Sequence, residues 1–208
     1  MSQAERHLTS LMRQLANRDH VELVHPFSDL KSFAALVYVA ECFGFRYVGV
    51  RLVGRHKVLH VHLVRSGEAW AQQRAAANAA AFPQVGAGGA VPGMHLNSLT
   101  PVPEAQPEVD LLTKVMRYDV MTEAGNPVQL RTIGVGAGVL FLLLAVVTGV
   151  YSVLLPLAVL TPAFMFGSLR VNTARRAKLA AQLTAAGCTP VRDEAGRERF
   201  VRPVPYPA

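Results

Sequence analysis

The sequence predicts an α+β protein in three parts: a small mixed α/β domain facing the cytoplasm, a two-helix transmembrane hairpin, and a C-terminal helix with a β-hairpin. Three observations predict it. Ile133 to Leu169 is a run of 37 residues without Asp, Glu, Lys, Arg, His, Asn or Gln. Ahead of that run, residues 1–83 alternate between helical and strand periodicities. Beyond it come a basic, Ala-rich stretch and an alternating stretch centred on Asp193 to Gly196.

The first domain reads as helix, strand, helix, strand, strand, helix. Ser2 and Glu5 have capping-box spacing, and Leu8, Leu11, Met12 and Leu15 recur on one helix face, which is expected to pack on the domain that follows. Val21 to Val24 suits a short strand. After Pro26, Ser28 is placed to cap a helix whose apolar stripe is Phe33, Leu36, Val37, Ala40 and Phe43, with Gly44 as its stop. Phe45 to Val53 and Val58 to Val64 are rich in β-branched residues, and Gly54, Arg55, His56 and Lys57 between them suit a β-hairpin turn. Ser66 to Phe82 is Ala-rich and ends at Pro83, so it reads as a helix.

Residues 84–108 carry four glycines and four prolines that interrupt any period, and are expected to form a linker. Residues 109–132 are a juxtamembrane segment, with a short helix over Val109 to Met121 and a turn at Gly125, Asn126 and Pro127.

The uncharged run sets the architecture. As one helix it would be roughly 55 Å long, against a hydrocarbon core of roughly 30 Å. Two legs divided near Gly149 to Ser152 fit better, with Pro156 early in the second. Arg131 before the run and Arg170, Arg175, Arg176 and Lys178 after it put both ends on the cytoplasmic side, where these residues meet anionic lipid headgroups. The expected address is thus the inner membrane, multi-pass, with both termini cytoplasmic. Gly134 and Gly138 share one helix face and suit close packing against the second leg, with a homo-oligomer as the alternative.

Chemistry-bearing motifs are sparse. There is no Gly-x-x-x-x-Gly-Lys-Ser/Thr loop, and Gly134, Gly136 and Gly138 open an apolar helix rather than follow a strand. Cys42 and Cys188 lie far apart, without a Cys-x-x-Cys partner, and suit buried reduced thiols. His60 and His62 alternate on a strand and so share a face, a spacing that can supply two metal ligands. A third ligand would have to come from His56 or His25, and a merely polar strand face is the simpler account. No metal, cofactor or catalytic residue is therefore assigned, and an enzyme is not expected.

Net charge is +7, split as +2 before the run and +5 after it. The excess sits beside the membrane. A second basic group, Arg51, Arg55, His56 and Lys57, gathers at the first hairpin's tip, where phosphate or nucleic acid could bind. The function these features favour is a membrane-anchored scaffold or accessory subunit of a larger bacterial assembly, binding other membrane or cytoplasmic proteins. A nucleic-acid-handling membrane protein is the alternative. A small pore is poorer, since the run offers no charged lining.

Overall fold

The computed structural model describes residues 3–24, 29–124, 127–193 and 196–203, with the backbone alone for 124 and 127–131. The chain is mixed α+β, with six α-helices and two small antiparallel sheets among the described residues. It divides into two compact units, residues 1–120 with 183–208, and residues 121–182.

The first unit begins with α1 (Gln3–Asn17), β1 (His20–Val24) and α2 (Leu30–Cys42). It continues with β2 (Phe45–Val53), β3 (Val58–Arg65) and α3 (Ala69–Ala81). This is the order the periodicities predict. Leu8, Leu11 and Leu15 of α1 are buried, so its apolar stripe is spent on the domain. Ser2, His25, Pro26 and Ser28 lie outside the described residues. Asp29 occupies the N-cap position of α2, without a side-chain cap bond.

The sheet has the order β1-β3-β2, all antiparallel. Alternation sends Val21, Leu23, Val61, Leu63 and Val50 to the core beneath α2, where Phe33 to Ala40 are all buried. Arg65 fastens one corner. Its guanidinium donates to Asp19 Oδ1 at 2.6 Å and to the Leu15 carbonyl at 2.9 Å, and lies 4.8 Å from the centroid of the Phe45 ring.

Residues 84–108, expected as a linker, behave otherwise. Val85, Val91, Met94 and Ala105 are buried in the same core as the sheet. Gly93 explains how so irregular a segment fits: its φ of 69° suits glycine, and a Cβ there would meet the Tyr38 ring at 2.5 Å. The glycines and prolines that erase the period specify a packed, aperiodic path. The helix predicted over Val109 to Met121 is the longer α4 (Gln106–Ala124), with Val109, Leu112, Val115 and Met116 buried.

The C-terminal residues join this unit as well, although the sequence suggests a separate basic tail over 170–208. Strands β4 (Thr189–Arg192) and β5 (Glu198–Val201) pair antiparallel as expected, with Glu194 and Ala195 of the turn outside the described residues. Phe200 is buried with its ring edge-on to Tyr118 at 4.9 Å, and Tyr118 donates to Glu198 at 3.1 Å. Arg202 forms an ion pair with Glu41 of α2. Asp119 of α4 accepts the Tyr47 hydroxyl at 2.7 Å and has the Arg199 guanidinium at 3.7 Å.

The second unit holds α5 (Pro127–Thr148) and most of α6 (Tyr151–Ala185). Gly149 separates them at a φ of 70°, as the dividing point in the sequence requires. Two expectations are corrected here. The second apolar leg and the basic helix predicted over Thr173 to Ala186 are one continuous 35-residue helix, which runs through Pro156 and Pro162. Among the described residues one helix, α6, is long and apolar enough to cross a membrane; the apolar part of α5, Thr132–Thr148, is shorter, so a two-span hairpin is not established. The two do pack on one another. A Cβ on Gly134 would lie 3.2 Å from the Met165 Cβ, and one on Gly138 3.0 Å from the Ala158 carbonyl oxygen.

Tyr47→Phe removes the hydrogen bond from β2 to the buried Asp119 carboxylate, whose other oxygen has no partner among the described residues. A loss of about 1–3 kcal/mol is expected. Burial already holds the Asp119 pKa above the ordinary range, against the lowering effects of Tyr47 and Arg199. Losing the phenol raises it further. A raised carboxylate pKa costs stability once pH exceeds it, so the variant's deficit should be largest near neutral pH and shrink as Asp119 protonates in the acid range. Hydrogen exchange of the β4 and β5 amides in the full chain, at two pH values, measures both effects.

Candidate functional site

Two regions carry chemistry: the polar face of the three-stranded sheet, and the paired helices with their basic end. The sheet face follows from register. Val24, His60 and Arg51 lie in one row across the strands, Glu22, His62 and Gly49 in the next, and His20, Val64 and Arg46 in the third. Apart from Gly49, which is buried, their side chains point away from the core residues that alternate with them. A register irregularity between Tyr47 and Gly49 shifts β2 by one residue and keeps Arg51 on this face.

Within these rows four ionisable side chains meet. His60 Nδ1 lies 2.6 Å from Glu22 Oε1, and His62 Nε2 lies 3.6 Å from the same oxygen. The His20 ring stacks beside His62 with centroids 5.5 Å apart. The hydrogen bond from His60 is the main reason that the Glu22 pKa lies below its ordinary value, so the group is a carboxylate. Partial burial lowers the His62 pKa, outweighing the Glu22 charge, with His20, Arg51 and His60 adding to the lowering. Its Nε2 is shielded from solvent and has no hydrogen-bond partner among the described residues.

The spacing of His60 and His62 forecasts their shared face. It does not forecast Glu22 and His20, because nothing local in the sequence states which residue of β1 lies opposite His62. His56, expected as a third ligand, stands exposed in the turn, and His25 is outside the described residues. Among the described residues no group of three or more His, Cys, Asp or Glu side chains forms a ready-made metal cage.

At the hairpin tip Arg55, His56 and Lys57 are exposed, and Arg51 is exposed on the strand leading to them. A hydrogen bond from Lys57 N to the Gly54 carbonyl at 3.2 Å closes the turn. The two cysteines are free and buried in different places, and neither is an activated thiol. Desolvation raises the Cys42 pKa to about 11 and that of Cys188 above its ordinary value.

In the second unit the apolar surface faces outward. Val147 is 81% exposed, Phe164 74% and Val159 67%, while Ala145 and Ala158 are buried. Large side chains outside and small ones within are the reverse of a soluble helix pair, and they fit an apolar solvent. Thr148 and Thr173 donate to carbonyls one turn back in their own helices, at 2.7 and 2.9 Å, which satisfies both hydroxyls without water. Gly134 and Gly138 lie against α6. Pro162 has no N–H to offer the Ala158 carbonyl four residues back, and that oxygen is the atom Gly138 approaches.

The apolar part of α6, residues 151–169, is about 28 Å long, close to a hydrocarbon core. Arg170 follows at once. Arg170, Arg175 and Lys178 are exposed and fall within about 140° of the helix circumference, with Arg176 on another side. Arg131, the basic residue expected before the run, lies outside the described side chains.

Gly138→Leu should separate the paired helices, at a cost of about 1–3 kcal/mol, because the new side chain meets backbone. Gly136→Leu should be nearly neutral, since nothing lies within 4 Å of a Cβ there. Thermal denaturation of the two variants in one detergent compares them directly.

No family model matches the chain, and neither a curated protein nor a solved structure matches it.

Proposed function

We propose that this protein is a membrane-anchored scaffold or accessory subunit, holding an α+β domain at the cytoplasmic surface of the inner membrane through the α5–α6 pair. One observation carries the reading. An outward-facing apolar helix pair is inserted between two chain segments that fold together as one unit. A domain assembled from both sides of the insertion lies on one side of the bilayer, so its chain enters and leaves by the same face. That requires an even number of crossings, and two antiparallel helices meeting at Gly149 supply them. The apolar part of α5, Thr132–Thr148, is about 25 Å long, somewhat less than a hydrocarbon core of roughly 30 Å, so the first crossing would draw on the residues just before it.

Charge favours the cytoplasmic side. Arg170, Arg175 and Lys178 follow the apolar part of α6 without an acidic residue between them, the arrangement retained at cytoplasmic faces and suited to anionic headgroups. A binding role is favoured by what the domain exposes, a polar sheet face and a basic tip.

Topology is tested by labelling single introduced cysteines with a membrane-impermeant maleimide, leaving the buried Cys42 and Cys188 in place. Val150→Cys should label in intact cells, and Arg6→Cys and Lys57→Cys only after lysis. Labelling of Val150→Cys and Lys57→Cys from the same side would remove the two-span model. Crosslinking in membranes should recover a stoichiometric protein partner, and a monodisperse chain without one would remove the subunit reading. Duplex DNA binding that weakens steeply with salt, with the slope flattened by Arg55→Ala and Lys57→Ala together, would instead establish nucleic-acid handling.

A further inference from the structure

We infer that the tip of the β2–β3 hairpin is a second membrane contact, in which Arg51, Arg55 and Lys57 bind anionic phospholipid headgroups and Val53 enters the layer behind them. The inference rests on the membrane-anchored reading, because an anchor keeps the exposed charges of the domain at a lipid surface.

Charge is the first argument. From Cys42 to Gly67 the chain has no Asp or Glu, while five Lys and Arg residues fall in the same span. Arg65 is spent on Asp19. Arg51, Arg55 and Lys57 are exposed and pair with no carboxylate among the described residues. The acid on the same sheet face, Glu22, stands one row further from the tip than Arg51, and its Oε1 already lies 2.6 Å from His60 Nδ1. Nothing internal therefore offsets the three cations. In water they are simply hydrated, and at an anionic surface each gains a partner.

Geometry is the second. The hydrogen bond from Lys57 N to the Gly54 carbonyl, with Lys57 at a φ of 49°, closes the turn and fixes Arg55 and Lys57 at its extremity. Arg51 stands opposite His60 on the outer face of the sheet, and Val53 follows two residues on, beside Val58. Val53 and Val24, both at this end of the outer face, are 46% and 48% exposed. Half-exposed valines next to unpaired cations suit the headgroup region of a bilayer, which offers phosphates and acyl chains at successive depths. Nucleic acid would meet the same cations. Yet the outer face of β2 and β3 carries no Phe, Tyr or Trp on which a base could stack, and exposed valines add nothing to a phosphate backbone. Lipid is the occupant that uses both the charge and the apolar surface.

The test uses the full chain reconstituted in vesicles, with a fluorophore on His56→Cys and with Cys42 and Cys188 left buried. A lipid carrying a nitroxide at its headgroup should quench the label more than about threefold more strongly in equal parts of phosphatidylcholine and phosphatidylglycerol than in phosphatidylcholine alone, and raised salt should shrink the difference. Arg51→Gln, Arg55→Gln and Lys57→Asn together should remove it, asparagine being tolerant of the positive φ at that position. Arg51→Lys with Arg55→Lys, which keeps every charge, should preserve it. Equal quenching in neutral and anionic vesicles, or a difference that the triple variant retains, would overturn the inference. So would duplex DNA binding that the triple variant abolishes while the tip stays unquenched. Carbonate washing of neutral vesicles keeps the two readings apart. A chain that washes off sinks the anchored reading and this inference with it, whereas a retained chain with an unquenched tip sinks this inference alone.

Discussion

Asp119 lies at the junction on which the architecture turns. It belongs to α4, the last helix before the apolar insertion, and its carboxylate is held by Tyr47 from β2 and faced by Arg199 from β5. One buried side chain therefore joins a strand made early in the chain, the helix that leads into the insertion, and a strand made after it. The arrangement is costly by itself: desolvation raises the carboxylate's pKa, and one oxygen goes without a partner among the described residues. The cost is carried because the surrounding contacts, Phe200 on Tyr118 and Arg202 on Glu41, hold β5 where Arg199 can reach. Burial and the Asp119 charge also keep the Tyr47 phenol protonated well above its ordinary range, so it remains a donor.

This junction supports the two-span topology proposed above. A chain that crossed the bilayer once would leave β4 and β5 on the far side from α2, β2 and α4, and the contacts of Asp119, Tyr118 and Glu41 could not form. The positive flanks of the apolar run point to the same topology by a different route. Charge bias acts while the chain is inserted, and burial acts when the domain folds.

Much of the first domain is legible in the sequence because its signals are local. Apolar stripes mark α1 and α2, alternation marks β2 and β3, and Gly44 and Gly187 mark helix ends. What is not legible is long-range. The packing of residues 84–105 depends on Gly93 fitting against Tyr38, a contact between residues 55 apart in the chain, and no period announces it. The return of β5 to α4 rests on Tyr118 and Asp119, ordinary residues in a helix whose partners lie some 80 positions away. The continuity of α6 is hidden for another reason. A change of composition at Arg170 reads as a boundary, yet nothing in the backbone of Arg170 or Val171 ends a helix. The histidine pair is half legible: spacing gives one strand's shared face, and only the strand register adds Glu22.

The helix pair shows how a sequence feature that looks like a defect becomes specific. Proline inside a helix deprives one carbonyl of its donor, and in hydrocarbon that loss has no remedy from water. Pro162 does this to Ala158, and the chain answers by turning Ala158 toward Gly138, the one kind of residue that lets a neighbouring backbone come so near. The bare Cα of the glycine offers the carbonyl a weak polar contact, and any larger side chain would push it away. Proline on one leg and glycine on the other thus select each other's position along the pair. Gly134 against Met165 repeats the close approach one turn further on, which fixes the antiparallel register from two points. With the register set, the turn at Gly149 and the arginine that ends the apolar run at residue 170 come to opposite ends of α6's apolar stretch, separated by about the thickness of the hydrocarbon core.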